Sequence, residues 1–461
     1  MADSFDFVII GSGPAGRRAA VQAAKLGRSV LVVDRDARVG GVCVHTGTIP
    51  SKTLRETVLN LTGYRERGFY GGGYRARHSI AAADLTERLG KTLEFEVDGL
   101  ENQFARNRVE TLRGAARLEG PRDLTVMLDA GETRHIQAGK ILIAVGTVTR
   151  RPDGVPFDGK VVLDSDDIIR LDHLPRSLTV VGAGVIGVEY ATIFSALDVK
   201  VTLVERRERF LDFIDREIIE ELTHELRDRA VLLRTGSKVE RVQVEDGQAV
   251  VHLEGGRVVR SEMLLYAAGR VVAAEGLGLD TVGLAVDERG RIPVDPATLQ
   301  TATANIYAAG DAIGFPSLAS TSMEQGRIAA CHAFDHRMPP TPRFFPYGIY
   351  AVPEISTIGM TEEEVRDKHV PYEVGVARLR ETSRGHIMGL RGGMMKMIFN
   401  TADRRLLGVH IIGEGATELI HIGQAVLNLG GTIDYFIENT FNYPTLAEAY
   451  KIAALDAYNR L

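Results

Sequence analysis

Val8-Ile9-Ile10-Gly11-Ser12-Gly13-Pro14-Ala15-Gly16 is the run from which the fold is read. Branched apolar residues suit a buried strand, and the glycines after them permit a tight turn into a helix whose first N–H groups lack partners within the helix. A second strand, 29–33, ends at Asp34. A turn of this kind lets backbone approach a pyrophosphate, the helix N-terminus adds partial positive charge, and the carboxylate accepts hydrogen bonds from a ribose. One G-x-G-x-x-G is weak evidence by itself. A second copy removes the ambiguity: strand 177–181 leads into Gly182-Ala183-Gly184-Val185-Ile186-Gly187, then a helix, then strand 200–204 ending at Glu205. Gly11 and Asp34 stand 23 positions apart, and so do Gly182 and Glu205. The chain therefore reads as α/β with two Rossmann-like dinucleotide-binding domains. Gly11, Gly13, Gly16 and Asp34 mark one site; Gly182, Gly184, Gly187 and Glu205 mark the other.

At 461 residues the chain is long enough for about three domains. A formal charge of -6 gives no basic excess, so a binder of nucleic-acid phosphates is not expected. The two cysteines, Cys43 and Cys331, cannot build a disulfide framework or a zinc site, which suits a reducing cytoplasm. No cluster of His, Cys and carboxylates has metal-ligand spacing, so no metal is expected. The first strand begins at Phe5, leaving no room for the charged and apolar regions of a signal peptide. No apolar run approaches the roughly 20 residues of a membrane helix. A cytoplasmic protein is expected.

After the first dinucleotide unit stands Gly40-Gly41-Val42-Cys43-Val44-His45-Thr46-Gly47-Thr48-Ile49-Pro50-Ser51-Lys52. It resembles the segment G-G-x-C-x4-C-x-P-S-K of the flavoprotein disulfide reductases, in which two cysteines beside the flavin form a disulfide that passes electrons onward. Cys43 matches the first cysteine, and Thr48 stands at the second. A hydroxyl forms no disulfide, so the usual electron exit is missing. The resemblance implies FAD at the first glycine turn and NAD(P)H at the second. It assigns Gly41, Cys43, Thr48 and Lys52 to the flavin site, Gly114 and Ala115 in the segment 109–118 to adenine contacts, and Thr147 to the end of strand 140–147. Asn305-Ile306-Tyr307-Ala308-Ala309-Gly310-Asp311 reads as a strand ending in an aspartate, and Asp311 would hold the ribityl hydroxyls. Ala319 would open a helix, 318–334, whose N-terminal dipole favours negative charge on the flavin's pyrimidine edge. Gly269 closes strand 263–268 in the nicotinamide site. Lys52, paired with Glu189, would lie at flavin N5, the cation favouring hydride arrival and the carboxylate keeping it placed. Cys43 is either an apolar filler or a thiolate that modulates the ring.

The C-terminal segment departs from the pattern a second time. Where the disulfide reductases carry a His followed by Pro and a Glu, this chain has Tyr443-Pro444 and Glu448. A phenol of ordinary pKa about 10 is a poor thiol base near neutrality. The dithiol and its proton-transfer partner are missing together, while the flavin and nicotinamide motifs are kept along the whole chain. In this the sequence closely resembles the soluble (Si-specific) NAD(P) transhydrogenase family, which shares the T-G-T-I-P-S-K form, the Asn442-Tyr443-Pro444-Thr445 terminus and the segment His421-Ile422-Gly423-Gln424-Ala425. That resemblance implies a ping-pong cycle with NAD(H) and NADP(H) as substrates: NADPH delivers a hydride to flavin N5, NAD+ replaces NADP+ in the same site, and NADH leaves. The alternatives are an NAD(P)H-dependent quinone or dye reductase or oxidase, or a flavin-bound scaffold without catalysis.

Glu205 suits the ribose hydroxyls of NAD(H) and repels a 2′-phosphate, whereas Arg206 and Arg207 either bind that phosphate or form a solvated loop. The expected domains are 1–150 for FAD, 151–272 for NAD(P), 273–342 returning to FAD and ending in the proline-dense linker 338–342, and an α+β interface domain at 343–461. A homodimer is expected, with higher assembly left open.

Overall fold

The structure, a computed structural model, describes residues 3–337 and 344–460; the proline-dense stretch 338–342 lies outside the described residues. The chain divides into two compact units. One comprises Met1–Ser51, Glu87–Arg150 and Gly269–Thr341, the other Lys52–Thr86, Arg151–Ala268 and Pro342–Leu461.

In the first unit a seven-stranded sheet is built around the strand Asp3–Ile10. Val30–Asp34 lies parallel on one side and Thr133–Ile143 parallel on the other, with Glu110–Arg113 extending the first side. Along its outer edge Thr133–Ile143 meets Asp123–Met127 antiparallel with its first half and Ile306–Ala308 parallel with its last residues. Phe7 and Ile9 pack with Ala19, Ala23, Ile328 and Ala329 of the helices Pro14–Lys25 and Ala319–Ala333. Val8 and Ile10 face the opposite core with Leu31, Leu124, Val126 and Ile306. Burial on both faces explains why the central strand reads as an unbroken apolar run. The two helices touch at backbone distance: a Cβ on Gly326 would stand 2.0 Å from the Ala15 carbonyl oxygen.

The segment 109–118 holds two strands: Glu110–Arg113 pairs with Val30–Asp34 and Ala115–Leu118 with Asp123–Met127, and between them Gly114 donates its N–H to the Asp34 carbonyl at 2.8 Å as the last bond of the first ladder. The aspartate expected at a strand end sits beyond it. Ile306–Ala308 is the strand, and Asp311 belongs to the short helical turn Gly310–Ile313.

The second unit carries a five-stranded parallel sheet in the order Leu232–Arg234, Lys200–Val204, Ser177–Val181, Met263–Tyr266, Val162–Leu163. A five-stranded antiparallel sheet formed by Tyr347–Ile349, Ile355–Gly359, Leu406–Ile412, Met394–Asn400 and Tyr372–Arg378 follows. Its apolar face shares one core with the helices Ala416–Asn428, Ile433–Glu438 and Glu448–Tyr458. Lys396 is buried in this unit, where Asp215, Glu217 and Glu362 surround its ammonium and raise its pKa against the opposing effect of burial. Among the described residues no helix is long and apolar enough to cross a membrane.

Candidate functional site

The two glycine turns are the same object built twice. Gly11 and Gly182 have φ of 107° and 98°, a region that glycine enters without a steric penalty. Gly11 N–H donates to the Val33 carbonyl and Gly182 N–H to the Val204 carbonyl, each at 2.8 Å. The acidic residue after the second strand then turns back. Asp34 Oδ2 accepts from Ser12 N–H at 2.6 Å, and Glu205 Oε2 from Ala183 N–H at 2.9 Å. A Cβ on Gly16 would stand 1.9 Å from the Gly11 carbonyl oxygen, and one on Gly187 1.8 Å from that of Gly182. The third glycine of each turn thus seats the helix on the strand. A Cβ on Gly13 or Gly184 would meet nothing within 4 Å, because each points into open space. That is the room a pyrophosphate needs at a helix N-terminus.

In the first unit the turn opens into a cleft. Gly11, Gly13 and Asp34 line it with Gly114 and Ala115, and so do Gly41, Cys43 and Thr48. Thr147, Asp311 and Ala319 line the same cleft. Gly16 lies beneath the turn. Cys43 sits in the short helix Gly41–His45, and Thr48 begins the helix Thr48–Thr62. Burial raises the Asp311 carboxyl above the ordinary aspartate value; Arg270 and a hydrogen bond to Thr147 oppose it. Arg270 donates from Nε to the Thr147 hydroxyl and from Nη2 to the Thr147 carbonyl, both at 3.0 Å. Gln325 Oε1 accepts from Gly310 N–H at 2.8 Å and steadies the turn that presents Asp311. Gly269, at φ 111°, places Arg270 at the start of the ladder Arg270–Val272 with Thr147–Thr149. No side chain caps the helix Ala319–Ala333, and Ala319 and Ser322 of its first turn line the cleft.

The second unit holds the charged pair. Lys52 Nζ donates to both carboxylate oxygens of Glu189, at 3.0 and 2.9 Å. Tyr350 N–H donates to Glu189 Oε1 at 2.8 Å, and the Tyr350 ring lies 4.9 Å beneath the ammonium. Glu189 is buried in the helix Val185–Ala196, whereas Lys52 keeps about a quarter of its side chain in solvent. The buried end therefore fixes the exposed end. At the end of strand Lys200–Val204, Glu205 is buried. Burial would raise its pKa, but the Arg207 side chain and the N–H groups of Arg207 and Ala183 hold it below the ordinary glutamate value. Arg207 Nε donates to Glu205 at 3.0 Å and its Nη1 to Asp212 at 2.9 Å, while Arg206 is exposed.

The sequence pattern shared by pyridine nucleotide-disulphide oxidoreductases matches residues 5–326, and that of their dimerisation domain matches residues 345–454. The chain belongs to the pyridine nucleotide-disulphide oxidoreductase family. A soluble pyridine nucleotide transhydrogenase of Mycobacterium bovis (strain BCG / Pasteur 1173P2) is 50% identical over 458 residues, 99% of this chain and 98% of that protein. One of Colwellia psychrerythraea is 40% identical over 467 residues, covering 100% of both. Among solved structures, LpdA from Mycobacterium tuberculosis is similar with a TM-score of 0.90 at 26% identity, over 98% of this chain and 99% of that one. The HOCl-induced flavoprotein disulfide reductase RclA from Escherichia coli is similar with a TM-score of 0.87 at 28% identity, over 98% and 99%.

As a pyridine nucleotide-disulphide oxidoreductase the chain uses FAD, with NAD(P)H as substrate. The residues of the first unit fit that flavin: a glycine turn bare of Cβ for the pyrophosphate, Asp34 for a ribose, and a buried carboxylate and a helix N-terminus in the same cleft. Tyr350, Arg270, Gln325 and Asp212 join these sites without a local signal in the sequence, since each finds its partner through the fold or through an undistinguished loop. Tyr443 is exposed, and its hydroxyl is hydrogen-bonded to that of Ser383 at 2.8 Å. Cys331 is buried in the helix Ala319–Ala333, where burial raises its pKa and keeps it a thiol. His421 is exposed on its helix, with Gln424 Oε1 as its hydrogen-bond partner at 2.8 Å.

Proposed function

We propose that the protein transfers hydride from NADPH to NAD+, giving NADP+ and NADH, by a ping-pong mechanism in which the two nicotinamide cofactors take turns in one site and no redox disulfide takes part. The observation that carries this reading is Thr48 lining the flavin cleft beside Cys43, at the position where the family's second cysteine belongs. Relatives with matching full-length sequences bear the name of transhydrogenase, and Tyr443 at the thiol-base position points the same way. Residues 1–150 with 273–342 serve the flavin, 151–272 the nicotinamide cofactor and 343–461 the interface.

Bound FAD supplies a two-electron carrier that accepts a hydride from one dihydronicotinamide and gives it to an oxidised nicotinamide. Gly11, Gly13 and Asp34 hold the adenosine diphosphate end, and Asp311, presented by Gln325 and Arg270, accepts hydrogen bonds from the ribityl hydroxyls. The helix N-terminus at Ala319 favours negative charge in its part of the cleft. Lys52, kept in place by Glu189 and Tyr350, sets a fixed cation where negative charge develops. Glu205 accepts the ribose hydroxyls of NAD(H), and Arg206 and Arg207 are the cations available to a 2′-phosphate. Val185, at the first turn of its helix, leaves the nicotinamide approach less covered than a tyrosine would.

Anaerobic stopped-flow absorbance tests the reading. NADPH is expected to bleach the flavin and NAD+ to restore its colour, while lipoamide and glutathione disulfide leave it bleached. Restoration by quinone or oxygen alone, or by a disulfide substrate, would overturn it. NADPH deuterated at the pro-S hydrogen of C4 should bleach the flavin more slowly than the pro-R isotopomer if transfer is Si-specific.

A further inference from the structure

We propose, on the basis of that selectivity reading, that Asp212 is a positioning residue that sets the balance between NADP(H) and NAD(H) by competing with the 2′-phosphate for Arg207. The Arg207 guanidinium is divided between two carboxylates. Its Nε faces Glu205 at 3.0 Å, and its Nη1 donates to Asp212 at 2.9 Å. The backbone beneath it is pinned, since Gly236 N–H donates to the Arg207 carbonyl and Ser237 N–H to the Glu205 carbonyl, each at 2.9 Å. The loop therefore offers a fixed Cα position and a side chain with a choice of partners.

The two carboxylates differ in what they lose when the guanidinium leaves. Glu205 is buried but keeps the N–H groups of Ala183 and Arg207, at 2.9 and 3.1 Å. Asp212 has about half of its side chain in water, 51% exposed, so solvent replaces the lost partner. Arg207 can then turn to a phosphate without leaving a bare buried charge. NAD(H) brings no 2′-phosphate and leaves the pair in place, with the ribose hydroxyls on Glu205. Asp212 weighs on NADP(H) alone, through its hold on Arg207 and through its own negative charge beside the incoming phosphate.

Titration of the oxidised holoenzyme with NADP+ and NAD+ tests this. Asp212→Asn is expected to tighten NADP+ binding by about two- to fivefold, the range an exposed ion pair supports, and to leave NAD+ binding unchanged. The gain should shrink at high salt, and Asp212→Glu should restore the original ratio. Unchanged NADP+ affinity, or equal changes for both cofactors, would overturn the proposal. The double variant Arg206→Ala with Arg207→Ala separates the layers. If it loses NADP+ affinity selectively while Asp212→Asn does nothing, the role of Asp212 alone falls. If it shows no selective loss, the assignment of the arginines fails and takes Asp212 with it.

Discussion

Glu205 and Asp311 are both acidic residues placed just beyond a strand, yet their surroundings push them in opposite directions. Glu205 is held ionised by Arg207 and two N–H groups against its burial, so it is ready to accept ribose hydroxyls. Glu205→Ala should raise the KM for NADH severalfold more than that for NADPH, and equal effects in steady-state kinetics would reject its role. Asp311 has a pKa raised above the ordinary 3.8, with burial as the largest cause and Arg270 and Thr147 opposing it. A raised carboxyl pKa stabilises the protein below the ordinary value, and that contribution is lost as pH rises through the folded value. Ribityl hydroxyls donating to the carboxylate favour its charged form, so binding releases a proton and FAD affinity should increase as pH rises through the same window. Fluorescence titration of deflavinated protein checks this: affinity should improve from about pH 4 toward neutrality, and Asp311→Asn should flatten the profile. A flat profile in the unaltered protein would count against the ribityl assignment.

At the scale of elements, each glycine turn is a strand, a helix and one contact between them too close for a side chain. Gly187→Ala would bring a Cβ to 1.8 Å from the Gly182 carbonyl oxygen, so the helix must move off its strand. The flavin turn has its own third glycine, Gly16, in the other compact unit. The variant is therefore expected to purify yellow while reduction by NADPH and by NADH slows on the order of a hundredfold, as misplacing a reactant by about an ångström does. Absorbance of the purified protein and stopped-flow reduction read the two halves separately. Loss of FAD from the variant would show that the turns do not act independently.

For the whole molecule, the C-terminal match to the family's dimerisation domain leads to an association prediction. Large apolar side chains of that segment stand in solvent, among them Leu429 at 86%, Tyr443 at 68% and Tyr435 at 45% exposure. Burial of such groups against a second copy is favourable at about 25 cal/mol per Å² of apolar surface. Sedimentation velocity is expected to show a homodimer, and a monomer at micromolar concentration would contradict this.

Much of the fold and both glycine turns were legible in the residues, because a buried parallel strand, a positive-φ turn and an acidic residue 23 positions on are constraints that act over short stretches of chain. The same holds for Thr48 and Tyr443, whose side-chain chemistry is known wherever they lie. Gly114 shows where local reading stops, since nothing within 109–118 announces that the residues before it pair with Val30–Asp34 and those after it with Asp123–Met127. The sequence by itself determined that two dinucleotides are bound and that the second sulfur is missing. Only the tertiary structure decided what each charge touches: Glu189 meets Lys52 across 137 positions and Tyr350 across 161, and Arg207 is divided between Glu205 and Asp212. The reason is physical. Backbone geometry is set by neighbours in the chain, whereas a long charged side chain takes its partner from whichever segments the fold brings within hydrogen-bond distance.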